Sequence, residues 1–229
     1  MDFEFQKLKK KNDQKEKNFQ FRKDPDFKFD PVMFAKDLIK YGDDIPGECY
    51  NNNGSKSGSP MVYIKSFKGV IGWESFVQLD TDGSGEPPFK DPDRQNTTNL
   101  HSKSQHLDAN KIPYIVLPSS NKIQDVLVGD LGILVDTEKG KYIFVIYGDK
   151  GPKTKIGEAS VAAHRELGLT DGKKNRGYEE EGLVYIVFPK SRLRYDYGEG
   201  KKIPTTFEEV QKNGKEILDR YLCEEYQFK

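Results

Sequence analysis

The sequence predicts a mainly-β domain with peripheral helices, and two observations support this prediction. Six short segments are rich in Val, Ile, Tyr and Phe and are bounded by Gly, Pro or Asp, which is typical of strands. By contrast, only three segments have the pattern of a helix. A chain of 229 residues can also bury a core without a disulfide or a structural metal. The predicted strands are residues 61–67, 71–79, 113–117, 131–135, 142–147 and 183–188.

A short helix is the first ordered element that the sequence predicts. Asp30 is a suitable N-cap, Pro31 suits the first helical position, and Gly42 follows the last apolar residue of the helical pattern. Residues 47–60 are rich in Gly, Asn and Ser, and we interpret them as a loop without packing residues.

The segment before this helix differs from the rest of the chain. Residues 1–29 mix charged side chains with isolated Phe residues at no clear period, which predicts a disordered polar arm. A docking arm that uses these Phe side chains is the alternative interpretation. We therefore expect the folded domain to span residues 30–229.

Two further helices are predicted after the strands begin. Residues 157–167 are rich in Ala and end before Gly168, a common C-terminal residue of helices. Residues 207–222 follow Thr206 and contain Glu209, which together form a capping-box pattern at the start of the last helix.

Composition and charge exclude several classes of protein. The 37 basic and 37 acidic side chains cancel, which argues against a dedicated nucleic-acid binder. The longest apolar run, residues 142–147, is too short to span a membrane. Cys49 and Cys223 do not form a disulfide framework, and the N-terminal residues lack the apolar stretch of a secretory signal. We expect a monomer that binds neither nucleic acid nor membranes.

Two carboxylates flank a loop that could support catalysis. The predicted strand 142–147 leads to Asp149 in a Gly- and Pro-rich loop, and Glu158 lies nine positions later at the start of the predicted helix. Two carboxylates facing one cleft suit acid–base cleavage of a glycosidic bond, with inversion at a separation of about 6.5–9.5 Å and retention at about 5–5.5 Å. Ordinary turn and helix-cap chemistry is the alternative explanation of both residues.

Several motifs in the same order resemble the chitosanases of glycoside hydrolase family 75. They are PYIVLP at 113–118, GDLG at 129–132, YGDKGP at 147–152 and IGEAS at 156–160, within a resemblance that covers about residues 61–212. The resemblance implies a fold similar to a double-psi β-barrel and an inverting endo-hydrolase of chitosan. It also implies that Asp149 and Glu158 are the catalytic pair, and it favours secretion, although without a secretory signal in these residues the localisation stays open. We expect no cofactor.

The roles of the two carboxylates can be argued in either direction from the sequence. A helix N-terminus would lower the pKa of Glu158, which favours Glu158 as the base. Analogy with other barrel hydrolases favours Glu158 as the proton donor to the leaving sugar. We interpret Glu158 as the acid and Asp149 as the base that activates water.

Acidic residues near the predicted strands suit a cationic substrate. Chitosan is a polycation, and residues 80–93 contain five acidic side chains against one Lys. We expect Asp80, Asp82 and Asp130 to bind glucosamine ammonium groups or to support the catalytic pair; a solvated acidic loop is the alternative. Three Lys residues in the catalytic loop, at 150, 153 and 155, leave a partly acetylated or peptidoglycan-like glycan open as the substrate.

Two aromatic residues are candidates for contact with sugar rings. Trp73 lies in a predicted strand and could be a stacking platform, although most Trp residues in strands belong to the core. Tyr195 lies in a loop-like segment and could line a subsite or pack on the surface.

The acidic segment also has a partial calcium-loop pattern. Asp80, Asp82, Ser84 and Asp91 occupy positions typical of calcium ligands, but a strand precedes them and two Pro residues interrupt the loop. We expect a turn that does not require calcium.

Two other functions stay open at this point. One is a non-catalytic glycan-binding or interaction module, and the other is a peptidoglycan-directed lytic enzyme on the same barrel. Turnover of chitosan separates the first of these from a hydrolase, because a binding module would retain oligosaccharides without shortening them.

Overall fold

The computed structural model describes residues 29–52, 61–84, 94–120, 123, 125–169 and 178–226, with only the backbone for residues 178–182 and 223–226. The predicted arm, apart from residue 29, lies outside the described residues. Among the described residues, no helix is long and apolar enough to span a membrane.

Nine strands and three α-helices form the part of the chain that the structure describes. The strands are Asp43–Asn52 (β1), Met61–Phe67 (β2), Val70–Asp80 (β3), Tyr114–Pro118 (β4), Leu131–Asp136 (β5), Lys141–Gly151 (β6), Lys155–Ile156 (β7), Glu158–Ser160 (β8) and Tyr178–Val187 (β9). The helices are Pro31–Tyr41 (α1), Val161–Leu167 (α2) and Phe207–Tyr226 (α3), with a 3₁₀ turn at Ser191–Arg194.

Six of the strands close into a barrel. Their order around it is β3, β8, β4, β6, β5 and β9, and the pairing of β9 with β3 closes the ring. The β3–β8 and β4–β6 pairs are parallel, whereas the other four pairs are antiparallel. Strands β2, β1 and β7 continue the sheet beyond β3. The prediction of a mainly-β, double-psi-barrel-like core with peripheral helices is confirmed.

The barrel wall is apolar because both of its faces are covered. Every residue of β4 and of β5 is buried, as expected for strands with side chains packed on both sides. Helix α3 covers β6, where a Cβ on Gly214 would come within 2.5 Å of the Phe144 Cβ. On the same helix, the Gln211 side chain accepts the Phe144 N–H and donates to the Phe144 carbonyl oxygen.

Residues 47–52, which the sequence predicts as part of a loop, form the end of the outer strand β1. Strand β1 continues to Asn52 and pairs with β2, and its Tyr50 is buried. The remaining residues, 53–60, lie outside the described residues. The prediction was wrong for 47–52 because pairing with a neighbouring strand outweighs the low strand propensity of Gly and Asn.

A second correction concerns the start of the helix predicted for residues 157–167. Gly157 has a positive φ of 103°, and the chain then forms the short strand β8 between β3 and β4. Helix α2 begins only at Val161, after the N-cap Ser160, whose Oγ accepts the Ala163 N–H at 3.3 Å. Glu158 therefore lies in a strand and not in the first turn of a helix. The other two predicted helices are present, and Thr206 Oγ1 accepts the Glu209 N–H as the capping box predicts.

The closure of the barrel depends on a close backbone approach at Gly132. A Cβ at this position would lie 2.2 Å from the Ile186 carbonyl oxygen on β9. We expect Gly132→Ala to lower the free energy of unfolding by about 3 kcal/mol or more, because the added atom must push two paired strands apart. Urea denaturation measures this change.

Gly198→Ala is the matched control for this substitution. Its added Cβ would meet the flexible end of Arg192, at 3.2 Å from Nη1, so the loss should stay within about 0.5 kcal/mol. Equal losses in the two variants would contradict the prediction.

Candidate active site

Asp149 and Glu158 lie on the two strands that flank β4. Val116 of β4 pairs with Asp149 of β6 on one side and with Glu158 of β8 on the other. Residues in register across neighbouring strands project from the same face of a sheet, so both carboxylates share one face. Two strand spacings separate their Cα atoms, which corresponds to about 9–10 Å.

A β-bulge aims Asp149 toward this face. The register shifts by one residue between Ile115 and Val116, so that Gly148 and Asp149 together oppose Val116. Gly148 has no room for a side chain, because a Cβ there would lie 2.7 Å from both the Leu107 Cδ1 and the Tyr114 Cβ. The glycine therefore permits the bulge, and the bulge sets the direction of the next side chain.

The Asp149 carboxylate is buried and bound at one oxygen. Asp149 is only 6% exposed. Its Oδ1 accepts the N–H groups of Asn99 at 2.9 Å and Lys150 at 2.8 Å. Burial raises the pKa of Asp149 to about 6, and the charge of Asp82 adds to this rise, while the two N–H bonds oppose it. Asp149 is thus ionised at neutral pH but is a stronger base than an ordinary Asp.

Two further carboxylates lie beside Asp149. Oxygen atoms of Asp80, Asp82 and Asp149 all lie within 4.8 Å of one another. Asp80 ends β3, and its Oδ1 accepts the Asp82 N–H at 2.8 Å, while Asp82 accepts the Gln95 N–H at 2.6 Å. Burial, and then the charge of Asp82, raise the pKa of Asp80 well above its ordinary value. We call Asp80, Asp82, Asp149 and Glu158 the carboxylate cluster.

The Glu158 carboxylate lies against Gly151 of β6. A Cβ built on Gly151 would lie 2.8 Å from Glu158 Oε2, so the carboxylate covers this glycine. Gly151 lies two positions after Asp149 on the same strand and therefore about 7 Å along it. The charge of Glu158 also contributes to the raised pKa of Asp80. The structure thus brings carboxylate oxygens of three of the seven residues that the sequence predicted for the site within 4.8 Å of one another, and it places Glu158 on the same face as Asp149.

Sequence reasoning missed two residues that hold this cluster in place. Tyr114 is fully buried, and its OH donates to the Asp82 carbonyl oxygen at 3.0 Å. Asn99 lies 50 positions before Asp149 and donates its N–H to that carboxylate. A buried Tyr in an apolar strand and an Asn in a polar segment carry no local pattern that identifies them, because both contacts depend on the tertiary fold.

Trp73 and Asp130 lie elsewhere, which corrects two expectations. Trp73 is 0% exposed and stacks on Tyr185, with ring centroids 5.0 Å apart, so the indole is part of the core and has no face open to a sugar. Asp130 is also 0% exposed, and its two oxygens accept the N–H groups of Leu127 and Arg192. Burial raises the pKa of Asp130 to about 6. Asp130 links two loops and does not face a cleft.

Tyr195 is half-buried, and its ring stacks on Tyr197. The Tyr195 OH lies 3.2 Å from the Asn213 carbonyl oxygen and 3.1 Å from Glu216 Oε2, both on α3. These bonds direct its polar end toward the helix.

Two residues of the partial calcium pattern, Asp80 and Asp82, lie in the carboxylate cluster. The third carboxylate beside Asp80 and Asp82 is that of Asp149. The Ser84 hydroxyl instead donates to the Thr81 carbonyl oxygen at 2.5 Å. Asp91 lies outside the described residues. Three carboxylate oxygens at this spacing are donors that a divalent cation could use. The expectation that the protein needs no cofactor stays a prediction.

Comparison with known families identifies the chain. The family described as fungal chitosanase of glycosyl hydrolase group 75 matches residues 77–220. The chain belongs to this family. The matched range contains the whole carboxylate cluster and confirms the resemblance seen in the sequence. This chitosanase-family member is accordingly a glycoside hydrolase by family, and no curated protein matches it.

Asp149 is buried, so removal of its charge should stabilise the folded state of this family member. A folded-state pKa raised from 3.8 to about 6 contributes stability that is present below about pH 4 and is lost as the pH rises through 6. We expect Asp149→Asn to raise the free energy of unfolding at pH 8 by about 2–3 kcal/mol and to change it little at pH 4.

Thermal and urea unfolding of the wild type and of Asp149→Asn, each at pH 4 and pH 8, test this prediction. Asp196→Asn is the control, because Asp196 is exposed and its partner is the exposed Lys201. A destabilised Asp149→Asn variant at pH 8 would show that the charge contributes to the fold.

Proposed function

We propose that the protein is an endo-acting hydrolase that cleaves β-1,4 links of chitosan with inversion. The observation that supports this most directly is the position of Asp149 and Glu158 on the same face, one on each side of Val116. Acid–base hydrolysis of a glycosidic bond requires two carboxyl groups that face the bond from opposite sides.

The spacing of the strands favours inversion over retention. The Cα atoms lie about two strand spacings apart, and the Glu158 carboxylate covers Gly151, about 7 Å along β6 from Asp149. This distance is closer to the range of about 6.5–9.5 Å that leaves room for a water molecule than to the range of about 5–5.5 Å of retaining enzymes.

Asp149 has the properties required of the general base. Both hydrogen bonds that described residues make to its carboxylate go to Oδ1, so Oδ2 is left to bind the attacking water. A pKa of about 6 makes this group a better proton acceptor than an ordinary Asp while it stays ionised at neutral pH. Glu158 is then the acid that protonates the leaving sugar oxygen. The helix-dipole argument for the opposite assignment does not apply, because Glu158 lies in β8.

The surroundings of the pair suit a substrate that carries ammonium groups. Asp80 and Asp82 add negative charge beside Asp149, and we propose that they bind a glucosamine amine next to the cleavage site. Lys150 follows Asp149 in the sequence, but its Nζ pairs with Glu199 Oε1 at 2.6 Å. Its positive charge is therefore compensated locally and does not count against a cationic sugar.

Loss of either catalytic carboxyl should abolish hydrolysis. We expect Asp149→Asn and Glu158→Gln each to lower kcat on chitosan by about 10²–10⁴-fold, since each removes one proton transfer from the transition state. Glu166→Gln and Asp196→Asn are matched controls at exposed positions and should retain normal rates.

Product analysis by mass spectrometry and proton NMR gives the decisive measurements. Chitosan, chitin oligomers and cell-wall sacculi are compared, and the first product formed from a β-link should be the α-anomer. Retention of oligosaccharides without cleavage would indicate a glycan-binding module, and cleavage of sacculi alone would indicate a peptidoglycan-directed enzyme. Near-normal turnover by either carboxyl variant would refute the proposed mechanism.

The pH dependence distinguishes the roles of the two carboxyl groups. If Asp149 is the base, it must be ionised, so kcat/KM should fall as the pH drops below about 6. We expect this limb in the wild-type profile of chitosan hydrolysis. Activity that instead falls as the pH rises through 6 would assign Asp149 as the acid.

A further inference from the structure

Asn99 lies at the point where a distant loop meets the catalytic strand. Its backbone N–H donates to Asp149 Oδ1 at 2.9 Å, and its side-chain Oδ1 accepts the Lys150 N–H at 3.1 Å. The next residue, Leu100, donates its N–H to the carbonyl oxygen of the bulged Gly148 at 2.8 Å. Three consecutive residues of β6 are therefore held by two residues of one loop.

We propose that Asn99 is a positioning residue that holds the Asp149 carboxylate in the orientation needed to activate water. This inference rests on the proposed function and adds a residue outside the carboxylate cluster to it. The Asn99 side chain fixes the backbone immediately after Asp149, while its N–H binds one carboxylate oxygen and leaves the other for the water. Rotation of the Asp149 side chain would break the Asn99 N–H contact, and the Asn99 side chain holds the Lys150 backbone from which this geometry is set.

The loop does not need the Asn99 side chain for its own fold. Thr98 Oγ1 donates to the Leu100 carbonyl oxygen at 2.9 Å and accepts the Leu107 N–H at 3.0 Å. The Leu100 and Leu107 side chains are fully buried and anchor the loop on both sides. Asn99 itself is only half-buried. A substitution of its side chain should therefore loosen the Asp149–Lys150 backbone and leave the loop in place.

A small change in orientation is sufficient to slow the reaction. An error of about 1 Å in the position of a catalytic group can cost about 100-fold in rate. In this proposal Asn99 makes no contact with the substrate. We therefore expect Asn99→Ala to lower kcat by about 10- to 100-fold, with KM within about two-fold of wild type.

Charge provides a second, independent test. Asn99→Asp keeps an oxygen that accepts the Lys150 N–H but adds a negative charge close to Asp149. The charged groups that already act on Asp149 include Asp82, which opposes its ionisation, and Lys150, which favours it; Asp80 lies within the same cluster. A further negative charge raises the pKa of Asp149, so the acidic limb of kcat/KM should move upward by about half a pH unit or more.

The experiment compares Asn99→Ala and Asn99→Asp with Asn96→Ala in steady-state hydrolysis of chitosan and in full pH profiles. Asn96 is the matched control, because it is exposed in the same loop and its side chain accepts a hydrogen bond from Arg94. We expect a lowered kcat for Asn99→Ala, a shifted acidic limb for Asn99→Asp, and wild-type behaviour for Asn96→Ala. Thermal melts of all three proteins confirm that the fold is intact; if Asn99→Ala does not fold, Asn99→Asp decides the question.

Two results would overturn the inference. One is a kcat of Asn99→Ala within about two-fold of wild type, and the other is an acidic limb that Asn99→Asp leaves unchanged. Either result with an inactive Asp149→Asn variant removes the role of Asn99 and leaves the proposed function intact. An active Asp149→Asn variant would instead remove both.

Discussion

The pairing of β4 with two different strands is the constraint on which the site depends. Strand β4 runs parallel to β6 on one edge and antiparallel to β8 on the other. Val116 is in register with both Asp149 and Glu158, so the pairing of β4 fixes the separation of their Cα atoms. Rigid strands hold side chains more precisely than loops do, and both residues lie within strands.

The strand pairing places the Asp149 carboxylate in a buried position, where a charged group is unfavourable. Asp149 is almost completely buried, and desolvation by burial raises the pKa of both Asp149 and Asp80 because ionisation is unfavourable there. Backbone N–H groups of Asn99 and Lys150 offset part of this cost. Active sites commonly combine such destabilised groups with a rigid surrounding structure. Here the closed barrel provides that structure.

The apolar strands and the placement of Asp149 and Glu158 beside one another could be predicted from the sequence, but their surroundings could not. Segments such as 113–117 and 131–135 are apolar at every position because both faces are covered, and that pattern is local. Strand β8 was mistaken for the start of a helix, because the Ala-rich sequence after it does favour a helix and the positive φ of Gly157 is not visible in composition. The core position of Trp73 and the contacts of Asn99 depend on which strands become neighbours, and no pattern along the chain encodes this.

The distribution of charge shows why net charge is a poor guide to the substrate. The chain is neutral overall, and Lys150 directly follows Asp149 in the sequence of β6. Successive side chains of a strand project to opposite faces, so Lys150 lies on the face opposite Asp149 and pairs with Glu199. The carboxylate cluster therefore keeps a concentrated negative charge on one face of the strand, while the compensating cation lies on the other. A neutral protein can in this way present a strongly acidic site, and the strand pleat alone is sufficient to separate the charges.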